Sequence, residues 1–245
     1  MPHNETDFLR LDGYEAQTPQ IEERFWQHIE GEQDMLTVLA EHHTDDARHS
    51  FYVLHNDAVT WGIPGEPQIV ALHLQRDPDA RTFRFEHAEL PLPAMAQSWL
   101  IARGCPKETI HLPDGMGTRP ADKTTRALQE RVMSDGDHFA LLTSYTADTT
   151  DRPEIMVLLR ALDERAPLPF RILVEEADLD AWTHTLREGA FATFEEATEW
   201  WQNHFAGDAA PLPTAPPPVR CSPLPTMHAP PAPPAPAAPP RGRSR

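Results

Sequence analysis

The sequence predicts an α+β protein: antiparallel sheet in two strand groups, about four strands and then three, flanked by helices and followed by a disordered C-terminal tail. Three observations predict it. Stretches with helical apolar periodicity alternate with blocks of alternating or continuous apolar residues. The strands come in runs rather than singly between helices, which argues against a doubly wound fold. Finally, 14 of the 27 prolines lie between Pro211 and Pro240, so the last forty residues differ in kind from the rest.

Residues 1–17 are polar and acidic and are expected to form a flexible leading segment. The body then spans 18–205, with 18–110 and 118–205 as candidate subdomains, and a Pro/Ala-rich tail occupies 206–245. In the first helix Thr18 is placed to cap, Pro19 suits the first turn, and Ile21, Phe25 and Ile29 make an apolar stripe ended by Gly31. Met35–Ala40 reads as a second, short helix. Ser50–His55 and Ala58–Ile63 flank Asn56–Asp57 and read as a hairpin. A second hairpin joins Gln68–Gln75 to Arg81–His87 across RDPDA, and counting back from the turn pairs His73 with Phe83 and Ala71 with Phe85. Pro93 and Gly104 bound a helix carrying Met95, Trp99 and Ala102. A loop with a short strand at Thr109–Leu112 follows, and then a helix over 121–133.

The layout then recurs without a residue-level repeat. Phe139–Tyr145, Glu154–Leu162 and Pro169–Glu175 read as three strands, Leu179–Arg187 as a helix, and Phe194–His204 as a helix opened by a Thr193/Glu196 capping box. Beyond Phe205 large apolar residues all but vanish. Such a chain does not repay the entropy of ordering and samples polyproline II.

Charge narrows the function classes. The tail holds four arginines and one aspartate, so the body carries 17 Lys+Arg against 37 Asp+Glu, a net of −20. That surface repels nucleic-acid backbones and anionic membranes. The longest apolar runs, such as Ile155–Leu159, are too short to span a bilayer, and no secretory signal opens the chain, so a cytoplasmic location is expected. Lysine occurs only at Lys107 and Lys123 against 19 arginines, the mark of a GC-rich coding sequence such as a high-GC bacterium's. Cys105 and Cys221 build neither a disulfide framework nor a zinc motif.

Three groups carry hints of chemistry. His42, His43 and His49 lie with three carboxylates in one nine-residue run, yet at no spacing that aims them at a common point, and no metal or cofactor is assigned. His73 and His87 are expected to share an apolar sheet face with Ile69, Ala71, Phe83 and Phe85, where a structural imidazole outweighs a general base. The carboxylate pairs Glu86/Glu89, Asp135/Asp137, Glu175/Glu176 and Glu195/Glu196 are the raw material of a glycoside-type hydrolase, with Trp61, Trp99 or Trp182 as sugar platforms. No catalytic or phosphate-binding motif accompanies them. In the tail, Pro236, Pro239 and Arg241 match PxxPxR, the spacing by which a polyproline helix docks on a protein partner. The composition therefore points to a non-enzymatic interaction or regulatory protein. A hydrolase whose groups converge only in three dimensions and an acidic nucleic-acid mimic are the alternatives.

Overall fold

The computed structural model describes residues 8–59, 65–147 and 153–214. Within them the chain is α+β, with two five-stranded sheets and four α-helices. The first half runs β1 (Glu15–Ala16), α1 (Pro19–His28), β2 (Leu36–His43), β3 (His49–Asn56), β4 (Ile69–Asp77), β5 (Thr82–Leu90) and α2 (Pro93–Ile101). The second runs β6 (Arg119–Pro120), α3 (Lys123–Asp135), β7 (Phe139–Ala147), β8 (Glu154–Ala161), β9 (Phe170–Asp178), β10 (Thr183–Phe191) and α4 (Phe194–Ala206).

Both sheets have the same topology, β1-β5-β4-β3-β2 and β6-β10-β9-β8-β7. In each, a four-stranded antiparallel meander gains a two-residue parallel strand at its last edge, so the sheets are mixed rather than purely antiparallel. The two halves match in finer detail. Side chains of Thr18 and Asp122 cap α1 and α3. The first strand of each meander bulges at one place, between Val38 and Ala40 and between Leu141 and Thr143. Arg81 and Trp182 both adopt left-handed backbone just before the last strand, with φ of 55° and 53°. The chain is a structural tandem repeat whose copies share little at the level of residues.

Several expected elements change. Leu36–His43 is strand β2, not a helix, preceded by a 3-10 turn over Glu30–Met35. β3 pairs with β2 and β4 on its two edges, and residues 60–63 of its expected partner Ala58–Ile63 lie outside the described residues. The turn beside it lies at 44–48, where Thr44 and Asp46 side chains hold the backbone of His49 and Arg48. The β4–β5 register is His73↔Glu86 and Leu74↔Phe85, because Arg76 and Asp77 extend the strand and the Asp77 carboxylate closes the turn on the N–H groups of Asp79 and Ala80. Thr109–Leu112 holds no strand; Lys107–Thr109 forms a 3-10 turn. Thr183–Phe191 is a strand rather than part of a helix: it pairs along its whole length with β9, and its alternating His184, Leu186 and Glu188 fit a pleat. The second meander therefore has four strands, not three.

The boundaries also fall differently from expectation. Leu9 is fully buried and Phe8 packs edge-on against Tyr52, so the packed body begins well before Thr18. At the other end Trp200 Nε1 donates to the Ala210 carbonyl and Thr214 bridges Gly189 on β10. Residues up to Thr214 thus belong to the body.

The layers are α1, first sheet, α2 with α3, second sheet, α4. Phe25 of α1 and Ile29, the residue capping its C-terminus, pack with Tyr52, Leu72, Leu74, Phe83 and Phe85 on one face of the first sheet. Ala96 and Leu100 of α2 pack on the other face, against Phe51, Val53, Ile69 and Ala71. The opposite side of α2 contributes Met95, and its N-cap Leu92, to a cluster with Leu128 and Val132 of α3 and with Val157, Leu173 and Leu186 of the second sheet. A helix buried on both sides needs apolar or small residues nearly all round, and PAMAQSWLI supplies them except at Gln97, whose buried Nε2 donates to the Ile110 carbonyl. At Gly136 a Cβ would lie 2.5 Å from Ser98 Oγ on α2, so only glycine permits this approach. α4 covers the outer face of the second sheet through Ala197, Trp200 and Trp201.

Candidate functional site

The expected tail contacts Pro236, Pro239 and Arg241 lie outside the described residues. The histidine-rich run divides between two strands. His42 and His49 flank Phe51, stacked on it at 6.1 and 6.3 Å between ring centres, whereas His43 turns to the opposite face, against Tyr52 and Ser50 Oγ. Strand alternation separates them, so the three do not converge on one point.

His73 and His87 do not share a face either, because the true register places them on opposite sides of the first sheet. On the α2 side, His42, Phe51, His73 and Glu86 occupy one cross-strand row. His73 stacks on Phe51 at 4.4 Å, and its Nε2 lies 3.0 Å from Nδ1 of His49, so one ring donates and the other accepts. Gln75 Nε2 donates to Glu86, whose other oxygen takes Arg103 at 2.9 Å, and the Arg103 guanidinium lies 3.4 Å from the Trp99 ring centre. The row is a bonded network rather than a poised base.

On the α1 side, α1 passes over β5. Phe25 meets Phe83 and Phe85 edge-on at about 5 Å. One helical turn on, His28 meets His87 at 4.3 Å, with Glu89 beside them. The helix advances roughly 4.5 Å from Phe25 to His28 and the strand roughly 6.7 Å from Phe85 to His87, so contacts repeat in step. In sequence, His28 lies three residues past Phe25 and His87-x-Glu89 shares one strand face, but neither spacing says that this helix meets this strand.

Burial, with His49 nearby, holds the His73 imidazole down at about 4, and burial with His28 nearby does the same for His87. Both are neutral at pH 7. As pH falls below 6.5 the unfolded chain takes up protons that these folded imidazoles refuse, so stability is expected to be lost between pH 6.5 and about 4. Unfolding free energies measured across that window should slope more gently in His73→Asn than in the parent.

Two of the carboxylate pairs separate as well, and the side chains of Asp135 and Asp137 lie outside those described. Glu86 and Glu89 point to opposite faces of β5, as do Glu175 and Glu176 of β9, as strand alternation requires. Glu175 faces the inner layer, where burial lifts its carboxyl to about 7. Glu196 is engaged in the capping box of α4. Trp61 lies outside the described residues, Trp99 carries Arg103, and Trp182 is exposed at a turn. The Cys105 thiol is buried and pushed up to about 11, which leaves it protonated.

A groove of about 650 Å³ lies along the outer edge of β10. Its walls are Ala127, Leu128 and Arg131 of α3 on one side and Pro211 and Leu212 on the other, with Leu186 at its base. β6 pairs with one end of this edge and Thr214 with the other, antiparallel. Between them, Leu186 N–H donates to Thr125 Oγ1, and Arg131 pairs with Glu188. Sequence reasoning missed this groove because it read β10 as a helix.

Comparison with known proteins gives no match: no family model, no curated protein and no solved structure corresponds to this chain.

Proposed function

We propose that the protein is a non-enzymatic interaction or regulatory protein of the cytoplasm, and that it takes an extended segment of a partner protein into the groove beside β10. The observation that carries this reading is the isolated Thr214–Gly189 bridge, a single antiparallel pairing at that edge. Alternate residues of β10 turn their backbone to this edge, as the His184 carbonyl and the Ala190 N–H do, and Glu188 follows in the same alternation. A segment continuing the pairing would place apolar side chains between Leu128, Leu186 and Leu212. Main-chain pairing supplies affinity in such a mode and pockets supply selectivity. The acidic body favours a partner with positive charge around that segment, and the tail's Pro236, Pro239 and Arg241 offer a second, polyproline contact.

The test is selection of a random dodecapeptide phage library on the full-length protein, with Ala127→Trp as counter-screen. Ala127 is exposed on α3 at the groove, so tryptophan fills the groove without entering the core. The expected result is a set of peptides that bind at micromolar Kd and at least tenfold more weakly to the variant. Absence of enrichment, or peptides indifferent to Ala127→Trp, would overturn the reading.

A further inference from the structure

We infer that His28, His87 and Glu89 form a binding site for one divalent transition-metal ion of the zinc type. One ligand atom from each of the three lies within 4.8 Å of the others, and His28 Nδ1 is 3.9 Å from Glu89 Oε1. A tetrahedral zinc ion with bonds of about 2.0–2.1 Å holds its ligands roughly 3.3 Å apart. The set closes to that spacing by small rotations, and it has the means: His28 is the last residue of α1 and Glu89 is exposed near the end of β5.

Four features of the surroundings suit a cation there. His87 Nδ1 is buried without a hydrogen-bond partner among the described residues, an arrangement that costs free energy unless something accepts its lone pair or its proton. Burial keeps His87 neutral at pH 7, and neutral imidazole is the ligating form. His28 sits at the C-terminal end of a helix, where the backbone dipole favours positive charge. Two neutral imidazoles and one carboxylate leave a bound divalent ion with one net positive charge, which an acidic protein tolerates. The group acting against the site is Arg24, whose guanidinium lies 5.6 Å from the Phe85 ring centre one helical turn before His28.

The second half of the molecule shows that the fold itself does not require this set. Aligned on the helix caps and on the register of the parallel strand pairs, His28, His87 and Glu89 correspond to Val132, Glu188 and Ala190. There the helix and strand are joined by the Arg131–Glu188 ion pair and by the packing of Val132. The same junction is therefore made without an imidazole. Three protein ligands leave one coordination position, which water fills. Imidazole with carboxylate suits zinc, cobalt, nickel and copper better than calcium or magnesium.

The test is calorimetric titration of zinc alone into chelator-treated full-length protein, with cobalt(II) absorption to report geometry. The expected result is one ion per chain at a Kd of about a micromolar or tighter. Binding should weaken more than tenfold in His28→Ala and in Glu89→Gln and stay unchanged in the His42→Ala/His49→Ala double variant. Circular dichroism melts of the metal-free variants, matching the parent, exclude misfolding as the cause. Failure of zinc to bind at ~100 μM, binding intact in His28→Ala and Glu89→Gln, or loss confined to the double variant would each overturn the assignment.

Discussion

Replacing Arg76 by alanine is expected to remove about 3 kcal/mol of stability. Arg76 lies on β4, is only 7% exposed, and directs its guanidinium to carbonyl and hydroxyl oxygens. Its Nε donates to the Arg10 carbonyl at 3.2 Å, one terminal nitrogen to Ser50 Oγ at 2.7 Å, and the other to the Leu9 carbonyl. These bonds fasten the leading segment to the face that buries Leu9. Hydrogen bonds from a charged donor contribute about 1.5–3 kcal/mol each, and the carbonyl of buried Leu9 would lose its donor. Relief from desolvating the guanidinium offsets part of that sum. In a body of this size the loss lowers the melting temperature by roughly 6–12 °C. Urea unfolding would give the energy, and amide exchange over residues 8–16 should accelerate. A variant that melts with the parent would show that the segment is held by its apolar contacts alone.

Leu173→Ala is expected to destabilise the protein by roughly 2–5 kcal/mol and to do so in a single unfolding transition. Leu173 is 1% exposed on the inner face of the second sheet, in the cluster that joins it to α3, to Met95 of α2 and to Leu92 at the N-cap of α2. The transfer of three carbons out of the core and the cavity left behind account for the size. The single transition follows from the position of α2, which the first sheet needs as a cover and the second half needs as a neighbour. Fluorescence from Trp99 beside the first sheet and from Trp200 beside the second should report coincident midpoints; separated midpoints would show that the halves unfold independently.

The parts of the fold that were legible in sequence were those with local signals. Thr18–Pro19, Pro93 and the Thr193/Glu196 pair each satisfy a helix end within a few residues, and these helices start where the caps place them. β10 was not legible because Leu179–Arg187 offers Leu179, Trp182 and Leu186 at helical spacing, while what makes Thr183–Phe191 a strand is nine paired partners on β9. The parallel strands β1 and β6 have two residues each and no local pattern to find. Register failed for a related reason: the turn after β4 closes on Asp77, so counting from the RDPDA loop misplaced Phe83 by three positions relative to His73. That slip also put His73 and His87 on one face. The His28–His87 contact depends on how α1 crosses β5, which no spacing along the chain encodes.

Because α2 is sandwiched, a chain ended just after Gly104 would present Leu92, Met95 and Ile101 to water as an uncovered oily ridge. Such a fragment would have every strand of its own sheet and still lack a lid for one flank. A duplicate of itself would offer a similar ridge, so truncation near this point is expected to yield pairs or aggregates instead of free half-molecules. Fusing two such units head to tail turns a meeting that depends on concentration into one guaranteed by covalent connection. It also frees each unit to diverge on its own surface, as the imidazole pair on one side and the arginine–glutamate pair on the other have done.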